Sequence, residues 1–322
     1  MSAINSANAR EPRRRQPSLA ALQSDPVGVR LVIFVRERFP LLAYGPLIVA
    51  FVSCGWIAAA RGAGDAPSLG WQTVVTLLVV TLVFFRLRVA DEIKDADVDR
   101  VGRPDRPLPR GLVTKTELER VLVACAVVEI ALATILGASV VVAYCVVLAF
   151  TILAANDFMT PGLRGNVLAY AVAHAPIVAL LLVFVWWAHP SATWSGTLSS
   201  AAVLASCASF ALEIGRKTMA PSEERPSVQT YSAEIGLAPA VTIATLVLVA
   251  GTLAGVVYGQ MTHAPDGALV MALAVGASTT VVGVGAMHAG RAAAWRPYVG
   301  AVALGLLCWP AALELVRAWA LW

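Results

Sequence analysis

An all-α, polytopic membrane protein is the fold class that three properties of this sequence predict. Of its 322 residues 58% are hydrophobic and 14% charged, against about 25% charged in an ordinary soluble chain. The mean hydropathy is +0.74. Apolar stretches recur at close to the ~20 helical residues needed to cross a bilayer core. Backbone amides in lipid must bond within their own segment, and the period-two alternation of a barrel is absent, so the spans are expected to be helices.

Residues 1–25 are polar, with Arg13, Arg14 and Arg15 in a row, and read as a disordered cytoplasmic arm. Residues 26–322 read as one membrane-embedded domain. The stretch PVGVRLVIFVRERFPLLAYG mixes apolar residues with Arg30, Arg36, Glu37 and Arg38. It suits an interfacial helix whose arginines snorkel toward lipid head groups. Nine spans are expected, near 40–60, 72–90, 118–137, 139–155, 167–188, 197–214, 236–257, 268–288 and 298–319. Only a tight break at Gly137–Ser139 separates the third from the fourth.

Orientation follows from the basic residues. With the N-terminus cytoplasmic, all but two of the 24 lysines and arginines fall in inner segments, the exceptions being Arg61 and Arg317. The positive-inside rule then gives a multi-pass protein of the cell membrane with its C-terminus on the opposite side. The net charge of +4 therefore reports topology and implies no nucleic-acid partner. Trp71, Trp194, Trp319 and Trp322 mark the outer interface. Cys54, Cys125, Cys145, Cys207 and Cys308 all lie in apolar spans without metal-ligand spacing and read as small hydrophobes.

Two inner connections, 91–117 and 215–235, are long and charged, and each follows an even-numbered span. Both face the same side, so they can meet over one cavity. The first opens with DEIKDADVD. Asp91, Asp95 and Asp99 recur every four residues, drift by only 40° per step and share a helical face. Carboxylates so placed repel one another unless a cation neutralises them, and oxygen ligands with an open shell suit Mg²⁺. Glu92, 100° from Asp91, is a further candidate ligand. The sequence continues RVGRPDRPLPRG, with Arg103, Arg106 and Arg110 among the guanidiniums and Pro104, Pro107 and Pro109 stiffening the turn. Acids for a metal beside clustered arginines make a site for a multiply charged anion such as diphosphate. A solvated helix end is the bland alternative.

DEIKDADVDRVGRPDRPLPRGLVT resembles the first signature of the UbiA superfamily of membrane prenyltransferases, NDxxDxxxD followed by an RPLP-type turn. Asp91 falls at the family's Asn, Glu92 at the next Asp, and Asp95 and Asp99 match directly. Arg106, Pro107, Leu108 and Pro109 match the turn, and Asp105 stands where Asn is usual. The resemblance implies a nine-helix bundle with cytoplasmic cap loops and a lateral opening for a lipid tail. It also implies Mg²⁺ held by two acidic motifs and an isoprenyl diphosphate donor.

The second motif departs from the family pattern. Glu213 stands at the early Asp. Aligning Thr230 with the closing Thr puts Ser227 at the Gly, Glu223 at the last Asp and Met219, which cannot bind a hard cation, at the middle one. Either Glu223 or Glu224 is a candidate ligand, with a plain solvated loop as the alternative. Lys94, Arg216 and Lys217 are candidates for diphosphate contact. The connection NDFMTPGLRG lacks the family's usual Tyr and Lys pattern. Asn156, Asp157 and Arg164 are there either lining the mouth or forming an ordinary loop. Within the spans, Glu129 and His174 either contact an acceptor or, more simply, bond helix to helix, and Glu314 pairs with Arg317.

The implied reaction is ionisation of the prenyl diphosphate and capture of the allylic cation by a small, possibly aromatic, acceptor in the membrane. Cyclisation of the same cation is the rival within the superfamily. An ion-coupled transporter is the rival outside it, although transporters place their acids near the bilayer midplane.

Overall fold

The computed structural model describes residues 25–224, 229–289 and 292–319. The expected N-terminal arm and the aligned Ser227 lie outside them, apart from Asp25. Among the described residues every regular element is helical. In chain order these are α1 Val27–Arg38, α2 Leu41–Gly62, α3 Trp71–Lys94, α4 Ala96–Gly102, α5 Lys115–Leu136, α6 Ala138–Ala155, α7 Val167–His174, α8 Pro176–Ala188, α9 Gly196–Arg216, α10 Tyr231–Ile235, α11 Leu237–Met261, α12 Asp266–Ala289 and α13 Ala292–Trp319.

With α7 and α8 taken together, eight helices are long and apolar enough to cross a membrane. A helix, α5, stands where the third span was expected, but Glu119, Arg120 and Glu129 dilute its apolar character and keep it out of those eight. Thr114 starts α5 with a capping box: its hydroxyl accepts from the Glu117 amide, and the Glu117 carboxylate accepts from the Thr114 amide. Gly137, at φ 129°, closes α5 and opens α6 in one residue, a conformation that needs the missing Cβ. α7 and α8 form one span broken where Pro176 supplies no amide proton.

α9 is the central helix, packed against α2, α8, α11 and α13. Its buried face is rich in small residues, including Ala201, Ala205, Ala208, Ala211 and Gly215, which let backbones approach closely. A Cβ at Gly215 would lie 2.7 Å from Val299 Cγ1 on α13. Glu129 on α5 is fully buried and accepts both contacts of Arg86 Nε from α3, at 3.0 and 3.1 Å, and the Tyr144 hydroxyl from α6. Helix-to-helix bonding is therefore what Glu129 does. Glu314 pairs with Arg317, as expected, and Arg61 joins them.

α1 departs from the snorkelling expectation. Arg30 Nη2 lies 2.5 Å from Glu117, its Nη1 donates to the Leu112 carbonyl at 3.0 Å, and Arg38 Nε donates to Glu92 at 2.7 Å. Arg110 pairs with Glu37 at 2.7 Å. Protein carboxylates and the Leu112 carbonyl hold these arginines and tie α1 to α3, to α5 and to the proline-rich connection between α4 and α5.

Candidate active site at the ends of α3 and α9

α3 runs four residues past its expected end, so Asp91 and Lys94 stand on the helix itself. Asp95 is the hinge between α3 and α4. Its amide still reaches the Asp91 carbonyl at 2.9 Å, and the Asp99 amide reaches the Asp95 carbonyl at 2.8 Å. The four-residue phase of the acids thus survives the junction.

The Asp91 carboxylate is 57% exposed, and its one ion pair among the described residues is a loose 3.8 Å contact with Arg88. It feels the charges of Asp95, Lys94, Glu213 and Arg216, so the end of α9 lies within electrostatic range of it. Glu213 accepts from Arg216 at 2.6 Å and lies 2.8 Å from Lys217 Nζ. The side chain of Asp95 has no hydrogen bond among the described residues. Burial first, and then the Asp99 charge, push its carboxyl above the ordinary carboxylate range, against the pull of Arg164, Arg106 and Lys94. Asp99 is buried and ion-paired with Arg106 of the proline-rich turn.

A third element closes the site from the α6–α7 connection. Asp157 is ion-paired with Lys94, and its Oδ2 accepts from Arg164 Nε at 2.5 Å. Burial would raise the Asp157 carboxyl, but the bonds from Lys94 and Arg164 outweigh it and hold it below the usual range. Lys94 Nζ also donates to the Ala154 carbonyl at 3.1 Å and to the Tyr170 hydroxyl at 3.0 Å.

Asp91, Lys94, Asp95, Asp157, Arg164, Glu213, Arg216 and Lys217 therefore gather at one end of the bundle, with Asp99 and Arg106 alongside. Other candidates are turned elsewhere. Glu92 is buried against Arg38, and Arg110 is held by Glu37. Glu223 is held by Arg296 at 2.6 Å. Glu224 accepts from Thr230 at 2.7 Å and Ser232 at 2.6 Å. The Asn156 amide nitrogen donates back to the Ile152 carbonyl. His174, by contrast, stays beside the site: its Nε2 lies 3.3 Å from the Ala154 carbonyl that Lys94 also reaches, and its Nδ1 lies 2.7 Å from the Tyr170 carbonyl. Arg103 is half-buried, with no ion pair among the described residues. Sequence reasoning missed Tyr170, whose ring stacks on His174 at 4.0 Å. Its spacing of four from His174 puts the two on one helical face, the signal that was available.

Among the described residues no three acidic or histidine side chains converge into a ready-made metal cage. The donor set nevertheless suits Mg²⁺, which is commonly bound by one or two carboxylates and completed by substrate phosphate and water. Asp91 and Asp95 are the carboxylates left uncommitted for that role.

No protein-family model matches the chain. It is 24% identical over 205 residues to a digeranylgeranylglyceryl phosphate synthase of Korarchaeum cryptofilum, covering 58% of this chain and 68% of the relative. It is 25% identical over 126 residues to one of Saccharolobus solfataricus, covering 39% and 41%. A solved structure concerned with digeranylgeranylglyceryl phosphate synthase in membranes superposes with a TM-score of 0.62 at 12% identity, over 88% of this chain and 99% of that one. A UbiA homologue from Aeropyrum pernix superposes with a TM-score of 0.62 at 14% identity, over 84% and 98%.

Proposed function

We infer that this chain, which belongs to the UbiA superfamily, transfers an isoprenyl group from an isoprenyl diphosphate to a small or lipid-like acceptor within the membrane. The observation that carries this reading is the cluster at the end of α3, where Asp91 and Asp95 stand beside Lys94, Asp157 and Arg164 and within electrostatic reach of Glu213 and Arg216 at the end of α9. Two distant helices bring acids and bases to one spot, the combination that a metal-bridged diphosphate needs. The curated relatives, named as synthases of a prenylated glyceryl phosphate, support a lipid-like acceptor. The excess of basic residues on the connections at this end supports a cytoplasmic site.

Asp91 and Asp95 would hold Mg²⁺, which when bound supplies charge neutralisation that makes diphosphate a better leaving group. Lys94, Arg164, Arg216 and Lys217 bind phosphate oxygens and stabilise the negative charge that builds on them as the C–O bond breaks. Fixed cations suit this task because they need no reorganisation at the moment of reaction. The prenyl tail lies among apolar helices, which keep water from the allylic cation until the acceptor attacks.

The test is incubation of the protein in lipid nanodiscs with Mg²⁺, isoprenyl diphosphates of several lengths and a panel of acceptors. Metal-dependent diphosphate release together with a prenylated acceptor is expected. A cyclised hydrocarbon formed without acceptor would point to a cyclase, and no diphosphate release with any donor would refute both enzyme readings.

A further inference from the structure

We propose that Asp157 stands in for the donor's diphosphate: in the free protein its carboxylate occupies Lys94 and Arg164, and the incoming diphosphate displaces it. This inference rests on the reading that the site takes an isoprenyl diphosphate.

Both oxygens of Asp157 are engaged, one by Lys94 Nζ and the other by Arg164 Nε at 2.5 Å. Arg164 also reaches the Lys94 carbonyl with Nη1 at 3.4 Å. These two cations stand next to the acids that would hold the metal, and both act electrostatically on Asp95. A single carboxylate therefore covers two cations at the point where a polyanion would bind. Diphosphate carries more charge and more acceptor oxygens than one carboxylate, so it is the stronger partner for an ammonium and a guanidinium together.

The backbone under Asp157 is built to let go. Asp157, Phe158 and Met159 follow one another at φ 52°, 53° and 52°, a left-handed run that side chains other than glycine rarely adopt. The two ion pairs and the packing of the Phe158 ring, 5.4 Å from Phe150 and 5.2 Å from His174, hold that run in place. Release of Asp157 lets the turn relax. Lys94 meanwhile keeps its bonds to the Ala154 carbonyl and the Tyr170 hydroxyl, so the ammonium stays aimed after its partner leaves. The Arg164 side chain is 44% exposed, so phosphate can reach its guanidinium once Asp157 leaves.

The experiment is calorimetric titration of the purified full chain with inorganic diphosphate in the presence of Mg²⁺. Asp157→Asn, nearly isosteric, is expected to bind roughly tenfold more tightly than the parent, the scale of one charge-assisted contact. Arg164→Gln is expected to bind more weakly by a similar factor. Asp157→Ser, measured alongside with a circular-dichroism check of helix content, should follow the direction of Asp157→Asn. Unchanged or weaker binding in the folded Asp157 variants would overturn the inference, because a purely structural ion pair would lose affinity when either partner is removed. Absence of binding by the parent itself would overturn the diphosphate reading and this inference with it.

Discussion

Asp91 and Glu92 are neighbours in the chain and point to opposite fates. Asp91 is exposed, whereas Glu92 is buried against Arg38 of α1, with one carboxylate oxygen lacking a hydrogen-bond partner among the described residues. Glu92→Gln should therefore act on stability rather than chemistry: the melting temperature falls and donor turnover stays within a few-fold of the parent, measured on one nanodisc preparation. A loss of turnover comparable to that of an Asp95 variant would return Glu92 to the metal site. Asp95 makes a prediction in pH. Its folded titration is raised, so the stability it contributes is present at low pH and is lost as pH rises from about 3.9, the ordinary Asp value, through the raised one. The metal-free protein should melt earlier as pH climbs through that window, Asp95→Asn should flatten the slope, and Mg²⁺ with diphosphate should offset it. The four-residue phase of Asp91, Asp95 and Asp99 was legible and persists in the backbone bonds across the junction, but the burial of Asp99 on Arg106 was not. The fate of Glu92 was not, because its partner lies 54 positions away and no local pattern encodes that meeting.

At the scale of elements, the helices were legible nearly throughout, since hydropathy and length alone determine what crosses a bilayer. Even α5 was expected, over 118–137, although buried Glu129 interrupts its apolar run and is answered by Arg86 and Tyr144 on two other helices. A buried ion pair need not add net stability, but deleting one partner leaves the other charge stranded, a loss of about 3–5 kcal/mol. Glu129→Ala should accordingly lower the melting temperature sharply, and adding Arg86→Met should recover part of it. A single variant that melts like the parent would mean the pair does not hold α5 to α3. The second acidic connection was the least legible element. Glu223 and Glu224 both lie close to the family's spacing, yet Arg296 from α13 holds one, and Thr230 and Ser232 hold the other. Which carboxylate a loop presents to a cavity depends on tertiary neighbours that spacing does not reveal.

Over the whole molecule, the arrangement separates two tasks. The end with Arg61, Glu314 and Arg317 is pinned by the Arg61–Glu314 ion pair between α2 and α13, with Arg317 of α13 pairing to the same Glu314. The other end gathers the acids and bases of α3, α9 and the α6–α7 connection. Among them Asp95 has no competing hydrogen bond, and the proposed chemistry depends on it most. The decisive measurement is Mg²⁺-dependent diphosphate release from an isoprenyl diphosphate in a single turnover, with parent and Asp95→Asn side by side and equal helix content verified for both. Loss of roughly 10²–10³-fold in the rate is expected, the scale of removing one electrostatic stabiliser. Release at the parental rate by the folded variant would contradict the account.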